Sequence, residues 1–438
     1  MKKTISENHK YSFPNPIVEV RHRDKIIIIA KLTANWIVLD NESQYVFFQL
    51  LKDYSLGEAL HKYNGDIEDA KHVVMQLEAR DFESCKVMRQ ENKGLHLYLT
   101  NQCNMRCPHC YMSAGEKKVT RELQPNEVKS ILTDYKRTGG ELVTFSGGEV
   151  ALCKNLLEYV IFAKTLGLTV EVLTNGVLWN AASVSQIAPY LDRVQISIDG
   201  YSEEVNATVR GKGNFQKALL AIDLFVNKGV YTTIGITPFP SDSLYIDFVK
   251  YADFAKTLLD KYGNKNFALK FTAELWNGRD ITISQEENQK YKDTIDKINA
   301  LVYGEHFYDE GFIEYHRRKG VENNCSFGNL NIDSNGDVYL CPVISEIEPI
   351  GNIRTQDFDE IDNFSQQAIK LTEAQSLRPC KDCELVYICG GGCRIKFFEA
   401  ARKGNIKSYA NALIRECTTK YKQEIYDQMI RTNEDIFQ

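Results

Sequence analysis

The cysteines of this 438-residue chain have its most informative spacing, because ten of the twelve fall in two groups. Cys103, Cys107 and Cys110 form a C-x3-C-x2-C pattern. The second group consists of Cys325, Cys341, Cys380, Cys383, Cys389, Cys393 and Cys417. In a chain without an export signal, such grouping is typical of metal or iron-sulfur ligation rather than of disulfides. We expect the isolated Cys85 and Cys153 to be ordinary thiols.

The first group has the number of thiolates that an open iron-sulfur cluster needs. A cubane cluster has four irons, so three thiolates leave one iron free to chelate a small molecule, as an open catalytic metal site does. The alternative is a zinc site, in which His109 would act as a fourth ligand beside the three cysteines.

Three polar segments each follow a strand-like run of apolar residues. They are residues 146–149 (SGGE), 174–176 (TNG) and 197–200 (SIDG), and Arg210 follows in VRGKGNF. Together with the cysteine triad, this order of motifs resembles the radical S-adenosylmethionine (SAM) superfamily. Val150 departs from that family's pattern, which has proline after the glutamate.

The resemblance implies a SAM site at the mouth of a barrel. Glu149 would hold the SAM ammonium, Arg210 would pair with the carboxylate, Ser197 would contact the ribose or carboxylate, and His109 would lie beside the adenine. The implied catalytic ligands of the SAM-cleaving cluster are Cys103, Cys107 and Cys110. The implied SAM-binding residues are His109, Gly147, Gly148, Glu149, Asn175, Ser197, Asp199 and Arg210.

The second group of cysteines resembles a SPASM domain, a family that holds two auxiliary 4Fe-4S clusters. By that resemblance the ligands of the distal cluster would be Cys380, Cys383, Cys389 and Cys417. Those of the proximal cluster would be Cys325, Cys341 and Cys393, which leaves that cluster an open iron. Zinc knuckles are the alternative interpretation of a C-x2-C pair.

Strand and helix patterns between these groups predict the scaffold. Six strand-like segments alternate with amphipathic helical stretches, one in each gap, which implies a parallel sheet curled into a partial (β/α)6 TIM-like barrel. The predicted strands are 95–99, 141–145, 169–174, 193–198, 231–237 and 267–272. In such folds the chemistry lies at the carboxyl ends of the strands. A last helix is predicted near 406–432.

The N-terminal part has a different pattern. Residues 17–39 predict two or three short strands, and three helices follow, the third from about Ile67 to Ala79 with Asp66 as its N-cap. This winged-helix-like unit resembles the PqqD-like recognition element of peptide maturases, which binds a leader peptide as an added strand. The strand at residues 26–29 or its neighbour is the candidate edge.

The fold class is therefore α/β in three units. They are a recognition element at 15–90, a radical SAM barrel at 95–300 and a SPASM domain at 320–425, with a charged linker at 89–93. A net charge of −6 and a pI near 5.9 do not suggest a nucleic-acid partner. Because the N-terminus lacks an apolar signal core and no apolar run could span a bilayer, we expect a cytoplasmic protein without a membrane partner.

The three resemblances together imply a maturase that acts on a precursor peptide with a leader sequence, as in sactipeptide and ranthipeptide thioether-forming enzymes. A donor such as flavodoxin or ferredoxin would reduce the first cluster, SAM would yield a 5'-deoxyadenosyl radical, and a cross-link, most simply a thioether, would follow. Alternatives are carbon–carbon or carbon–oxygen cross-linking, or formylglycine formation in a sulfatase. A non-enzymatic alternative is an iron-sulfur electron carrier or peptide-binding scaffold. Glu274 is a guess for a catalytic base, against a salt-bridged carboxylate.

Overall fold

Two β-sheets organise the parts of the chain that the computed structural model describes. The described residues are 6–84, 94–116, 121–263, 265–305, 307, 320–397, 402–403 and 417–437. The linker predicted at 89–93 and the isolated Cys85 lie outside these residues.

The N-terminal sheet has three antiparallel strands, where the sequence predicted two or three. They are β1 (Ile17–His22), β2 (Lys25–Ala30) and β3 (Asn35–Leu39), followed by α1 (Glu42–Asp53), α2 (Leu56–Lys62) and α3 (Ile67–Ala79). Asp66 caps α3 as predicted, since its carboxylate accepts from the Glu68 amide at 3.0 Å. β2 pairs on both sides, so of the two predicted candidates the strand at residues 26–29 is not an edge and its neighbour is.

Both faces of β2 are buried, which explains its unbroken apolar run. Successive side chains of a strand point to opposite faces. Ile26 and Ile28 therefore pack with the helices of the N-terminal unit. Ile27 and Ile29 pack instead with a C-terminal helix, which contributes Met429. The N-terminal sheet is thus held between its own helices and the C-terminal region.

The second sheet contains six parallel strands in chain order, and all six predicted strands are present. They are β4 (Gly94–Tyr98), β5 (Leu142–Ser146), β6 (Thr169–Thr174), β7 (Arg193–Ile198), β8 (Tyr231–Ile236) and β9 (Phe267–Phe271). The helices between and after them are α4 (Pro125–Arg137), α5 (Leu156–Thr165), α6 (Ala181–Ile187), α7 (Glu203–Arg210), α8 (Phe215–Asn227), α9 (Asp242–Tyr245), α10 (Phe248–Tyr262) and α11 (Gln285–Tyr303).

Two gaps hold two helices each, so the prediction of one helical stretch per gap was wrong there. Between β7 and β8 the break follows Arg210, where Gly211 adopts a φ of 85°. Backbone of that kind ends a helix and favours glycine. The break places Arg210 in the last turn of α7, close to the strand ends.

Three strands from the cysteine-rich region extend the same sheet, which the sequence analysis did not predict. They are β10 (Leu330–Ile332), β11 (Asp337–Tyr339) and β12 (Gly351–Asn352). β10 pairs in parallel with β4, with Leu330 opposite Leu95, and β11 and β12 continue in antiparallel pairing. The cysteine-rich region is therefore joined to the barrel by backbone hydrogen bonds.

Four helices complete the described part of the C-terminal region: α12 (Phe358–Leu371), α13 (Val386–Cys389), α14 (Arg394–Phe397) and α15 (Thr419–Phe437). The first half of the helix predicted near 406–432 falls largely on residues outside the described ones. No helix within the described ranges combines the length and apolar character that crossing a bilayer requires.

An ion pair ties α4 to the loop after β12. Glu127 accepts hydrogen bonds from Arg354 Nε at 2.7 Å and from the Gln124 amide at 2.7 Å. The hydrogen bond from Arg354 is the main reason that the pKa of Glu127 is lowered to about 2. Its side chain is only 14% exposed, so solvent screens the pair weakly.

We predict that Glu127→Gln lowers the free energy of unfolding at pH 7 by about 2 kcal/mol, the usual net value of a hydrogen bond to a charged group. The pKa of Glu127 is about 2 in the folded protein against an ordinary 4.5. Its stabilisation is therefore complete above pH 4.5 and is lost as the pH falls towards 2. Thermal unfolding of both proteins across this range measures the difference, which should shrink with acid. Glu158→Gln, in a more exposed pair with Lys129, is the control and should have little effect. Equal losses in the two variants would contradict the assignment.

Candidate functional site

The loop after β4 brings the predicted cysteine triad to the carboxyl ends of the parallel strands. The Cys110 amide donates to the Cys107 carbonyl at 3.2 Å, and the Met105 amide lies 3.4 Å from Cys103 Sγ. All three thiols line one cavity of about 370 Å³, which we call the strand-end cavity. The structure thus places the triad where the fold class predicts the chemistry.

Burial makes two of these thiols, Cys103 and Cys107, poor anions on their own. It raises the pKa of Cys103, and it raises the pKa of Cys107 to about 11. The thiolate is the form that binds a metal. Metal binding here would therefore release the thiol protons.

Six of the eight predicted SAM-binding residues line the strand-end cavity with the triad: His109, Gly147, Gly148, Asn175, Ser197 and Arg210. The two glycines also meet the backbone that leads to Cys103. A Cβ on Gly147 would lie 2.4 Å from the Thr100 carbonyl oxygen, and one on Gly148 would lie 2.3 Å from that of Gln102. Only glycine allows this approach. The SGGE segment therefore fixes the path of the cysteine loop as well as lining the cavity.

Glu149 lies beside the strand-end cavity rather than on its described lining. It is 1% exposed. Its carboxylate accepts from Thr174 Oγ1 at 2.5 Å, from the Asn175 amide at 2.8 Å and from the Ala151 amide at 3.0 Å. Burial is the largest influence on its pKa, which is raised despite these hydrogen bonds. Glu149 thus joins the ends of β5 and β6, and its contact with SAM stays a prediction.

Asp199 and Arg210 form a buried ion pair behind His109. Arg210 Nε lies 2.6 Å from Asp199 Oδ2, and His109 Nε2 lies 3.4 Å from the same oxygen. Burial is the largest single influence on the pKa of Arg210 and lowers it, but Asp199 together with the Cys107 and Cys103 thiols outweighs burial and raises that pKa. Burial lowers the pKa of His109. The site therefore has a permanent cation on its wall and a neutral imidazole next to it.

Arg279, which the sequence analysis did not single out, holds the cysteine loop from the opposite side. Its guanidinium donates to the Cys107 carbonyl at 3.2 Å and also to the Ala114 carbonyl. Its own amide donates to the Cys110 carbonyl at 3.1 Å, and its side chain is 2% exposed. A usable signal existed, since Arg279 follows the sixth strand just as the other motifs follow theirs.

The predicted distal ligands come together in the C-terminal region. Cys380, Cys383, Cys389 and Cys417 all line a second cavity, of about 180 Å³. The Leu385 amide lies 3.4 Å from Cys383 Sγ, and Tyr421 Oη lies 3.5 Å from Cys389 Sγ. Four thiols around one space suit a fully ligated cluster, and such contacts to sulfur are among those that tune its potential.

The predicted proximal ligands also come together, at the junction with the barrel. Cys325 and Cys393 each contribute to raising the pKa of Cys341, which burial brings to about 12. Tyr98, at the end of β4, donates to the Pro342 carbonyl at 2.6 Å. This hydrogen bond holds the segment after Cys341 beside the start of the cysteine loop.

Glu274 lines the strand-end cavity, but its carboxylate is paired. Lys396 Nζ lies 3.1 Å from Glu274 Oε1, and Lys396 is three residues from Cys393. Of the two alternatives for Glu274, the geometry supports the salt-bridged carboxylate. This pair also shows that the proximal thiols lie close to the rim of the cavity.

The residues present fit a SAM-binding iron-sulfur cluster. The strand-end cavity combines three thiols with a cation, Arg210, of the kind that a carboxylate would pair with. His109 Nδ1 is buried and has no hydrogen-bond partner among the described residues, so it is available to a ligand.

Comparisons with known proteins agree with this site. The pattern of the Radical SAM superfamily matches residues 97–255, and that of the SPASM iron-sulfur cluster-binding domain matches 324–384. Mycofactocin maturase MftC of Mycolicibacterium smegmatis is 31% identical over 315 residues, which are 68% of this chain and 78% of that protein. The antilisterial bacteriocin subtilosin biosynthesis protein AlbA of Bacillus subtilis is 26% identical over 335 residues, 71% of this chain and 70% of AlbA.

A solved structure shows the same fold. Native anSMEcpe with bound AdoMet superposes with a TM-score of 0.56 at 18% identity, over 78% of this chain and 99% of that one. The fold, the cysteine groups and the relatives define an enzyme of the radical SAM class. The chain belongs to the radical SAM superfamily, in the group whose members carry a C-terminal SPASM domain. Its cofactors are SAM and 4Fe-4S clusters, which when bound supply a radical that removes hydrogen from an unactivated carbon.

We predict that Cys107→Ala abolishes the reductive formation of 5'-deoxyadenosine, because the SAM-binding cluster loses one of its three thiolates. Anaerobically reconstituted wild-type protein should hold about twelve irons, and the variant about eight, since both auxiliary clusters remain. Iron analysis and chromatographic detection of 5'-deoxyadenosine measure these outcomes. Cys153→Ala, which changes an isolated and partly buried thiol, is the control and should match the wild type. Unchanged 5'-deoxyadenosine formation by the Cys107 variant would contradict the role of the triad.

Proposed function

We propose that this enzyme is a peptide maturase that closes a thioether in a ribosomally made precursor peptide. One observation carries the proposal: the proximal thiols Cys325, Cys341 and Cys393 lie together at the rim of the strand-end cavity. The relatives support the peptide substrate, since MftC is named for the maturation of mycofactocin and AlbA for the biosynthesis of subtilosin. AlbA is the relative that supports the thioether.

The residues of the strand-end cavity have separate roles in the proposal. Cys103, Cys107 and Cys110 hold the SAM-binding cluster, and an external donor such as flavodoxin or ferredoxin reduces it. Gly147, Gly148, Asn175 and Ser197 line the space for SAM, whose carboxylate is drawn to Arg210.

Asp199 orients Arg210, and His109 stacks beside the adenine. Glu149 receives the SAM ammonium at the junction of β5 and β6.

The proximal site supplies what the sulfur chemistry needs. Closing a carbon–sulfur bond releases one electron and one proton in addition to the hydrogen atom taken from carbon. A thiolate held by an iron is already deprotonated and has an electron acceptor beside it. Three proximal thiols leave one iron of a cubane free for a peptide cysteine. The pair between Lys396, three residues after Cys393, and Glu274 of the cavity lining supports a position of that sulfur near the carbon radical.

The N-terminal unit binds the leader of the precursor in this proposal, as a PqqD-like element does. The free edge of β3 is a poor site, because the Gln76 side chain already bonds to both backbone groups of Val38, at 2.9 and 2.6 Å. Val38 is opposite Ile27 in the pairing of β3 with β2. Because the backbone groups of Val38 point away from β2, those of Ile27 point away from β3 and bond to Val20 of β1. The next residue, Arg21, then presents its backbone outward. The open edge of β1 supports addition of a peptide strand there.

The thioether proposal is tested with a cysteine-containing precursor encoded beside the gene. Adding it should shift the electronic spectrum of the auxiliary clusters, because a peptide thiolate replaces a weaker ligand on iron. The same peptide with Cys→Ser should cause no shift. Cys325→Ala should still cleave SAM but lose the cross-link, since the radical forms beside a sulfur that is no longer held. Mass spectrometry of the peptide after thiol alkylation measures the product.

Three outcomes decide against the thioether proposal. Native-rate closure by the Cys325 variant would show that the proximal site does not hold the sulfur. A product with a free thiol and a carbon–carbon or carbon–oxygen bond would keep the peptide maturase and replace its chemistry. Formylglycine in the product would instead indicate a sulfatase-type reaction.

The leader proposal predicts a difference between two substitutions at one position of β1. Arg21→Pro removes an outward N–H and should weaken leader binding about tenfold, the value of one lost backbone hydrogen bond. Arg21→Ala loses the same ion pair with Glu42 but keeps the N–H, and it should bind like the wild type. Fluorescence anisotropy with a labelled leader peptide measures both. Equal affinities of the two variants would exclude the β1 edge, and tighter binding by Gln76→Ala would assign the leader to β3.

A further inference from the structure

Arg394 is a buried cation in the part of the C-terminal region where the distal and proximal thiols meet. It directly follows Cys393, begins α14, and is 0% exposed. Its Nε donates to the Thr372 carbonyl at 2.8 Å, and its Nη1 donates to the Gly390 carbonyl at 2.9 Å and to the Gly392 carbonyl. The side chain is therefore fixed in position by the backbone of the cysteine-bearing loops.

None of the acceptors is charged. Among the described residues, no carboxylate lies within ion-pair distance of this guanidinium, and Nη2 is buried without a hydrogen-bond partner. Burying a cation without an anion is costly, because both its hydration and its Coulomb partner are missing. A stable fold with Arg394 at this position calls for negative charge close by.

The distal and the proximal thiols are both close enough to supply that negative charge. Gly390 follows Cys389 of the distal group, and Gly392 precedes Cys393 of the proximal group. Nη1 also lies 3.4 Å from the side-chain oxygen of Asn324, next to Cys325. Burial lowers the pKa of Arg394. The thiols of Cys325 and Cys393 on one side and of Cys380 and Cys389 on the other act against this and favour its charged form.

We propose that Arg394 is a counter-ion shared by the two auxiliary clusters and that it raises the reduction potential of both. A cluster with thiolate ligands is an anion, and each electron it accepts adds negative charge. A fixed cation in a low-dielectric interior stabilises the reduced form more than the oxidised form. Because one guanidinium serves both clusters, it keeps both able to accept the electron that bond closure releases. This inference rests on the proposed ligand groups and on the proposed cross-linking reaction.

The test measures potentials in full-length, anaerobically reconstituted protein, with Cys107→Ala present so that only the auxiliary clusters contribute. Arg394→Gln removes the charge, and Arg394→Lys keeps it. Redox titration followed by electron paramagnetic resonance should show both auxiliary potentials shifted to more negative values in the glutamine variant. The lysine variant should lie closer to the unsubstituted arginine protein. Arg402→Gln is the matched control, because Arg402 also donates to a nearby carbonyl, that of Ile395, and its loss should leave both potentials unchanged.

Iron content separates the possible failures. A glutamine variant with full iron and unchanged potentials would overturn the proposal, as would equal shifts in the glutamine and lysine variants. Loss of iron in both variants would show a purely structural role and would also overturn it. Loss of iron in the glutamine variant alone would support the counter-ion. Protein with unsubstituted Arg394 that holds zinc and only about four irons would instead refute the ligand groups, a separate failure that precedes any effect of Arg394.

Discussion

The parallel pairing of β4 with a strand on each side is the constraint on which the rest of this structure depends. β5 lies on one side and carries the SGGE segment at its end, while β10 lies on the other and leads through β11 to Cys341. Because parallel strands end at the same edge of a sheet, the register of β4 with β5 brings the cysteine loop and the SGGE segment together. β11 runs back antiparallel to β10, and the Tyr98 hydrogen bond to the Pro342 carbonyl then holds the segment after Cys341 against β4. A slip of β10 by one residue would turn its side chains to the wrong face and shift the segment that carries Cys341.

Buried polar groups keep this strand-end edge in one arrangement. Glu149 accepts three hydrogen bonds that link β5 to β6, and Asp199 pairs with Arg210 after β7. Arg279 closes the ring after β9 by holding the carbonyls of the cysteine loop. Each group is costly to bury unless its partners are in place, so these contacts form together or not at all. These buried groups therefore fix the shape of the cavity wall.

The buried apolar residues of the described C-terminal region pack in two directions, partly with the barrel core and partly with the N-terminal sheet. The N-terminal sheet packs on this region through Ile27 and Ile29, close to Val386 and Ile388, which flank the distal group. Under the proposed function, a peptide bound at the N-terminal unit would lie on a sheet that packs directly against residues flanking the distal group.

The sequence alone determined the cysteine groups, the six barrel strands and the three N-terminal helices. Local spacing decides these features, since strand and helix periods and ligand patterns are properties of neighbouring residues. Only the tertiary structure decided that β10 joins β4, that β2 is central, and that Arg279 and Arg394 face the cysteine loops. Such facts arise from contacts between residues far apart in the chain, and local spacing does not determine those contacts. Packing also decided which carboxylates are paired, because the partner of Glu274 is Lys396, more than a hundred residues away.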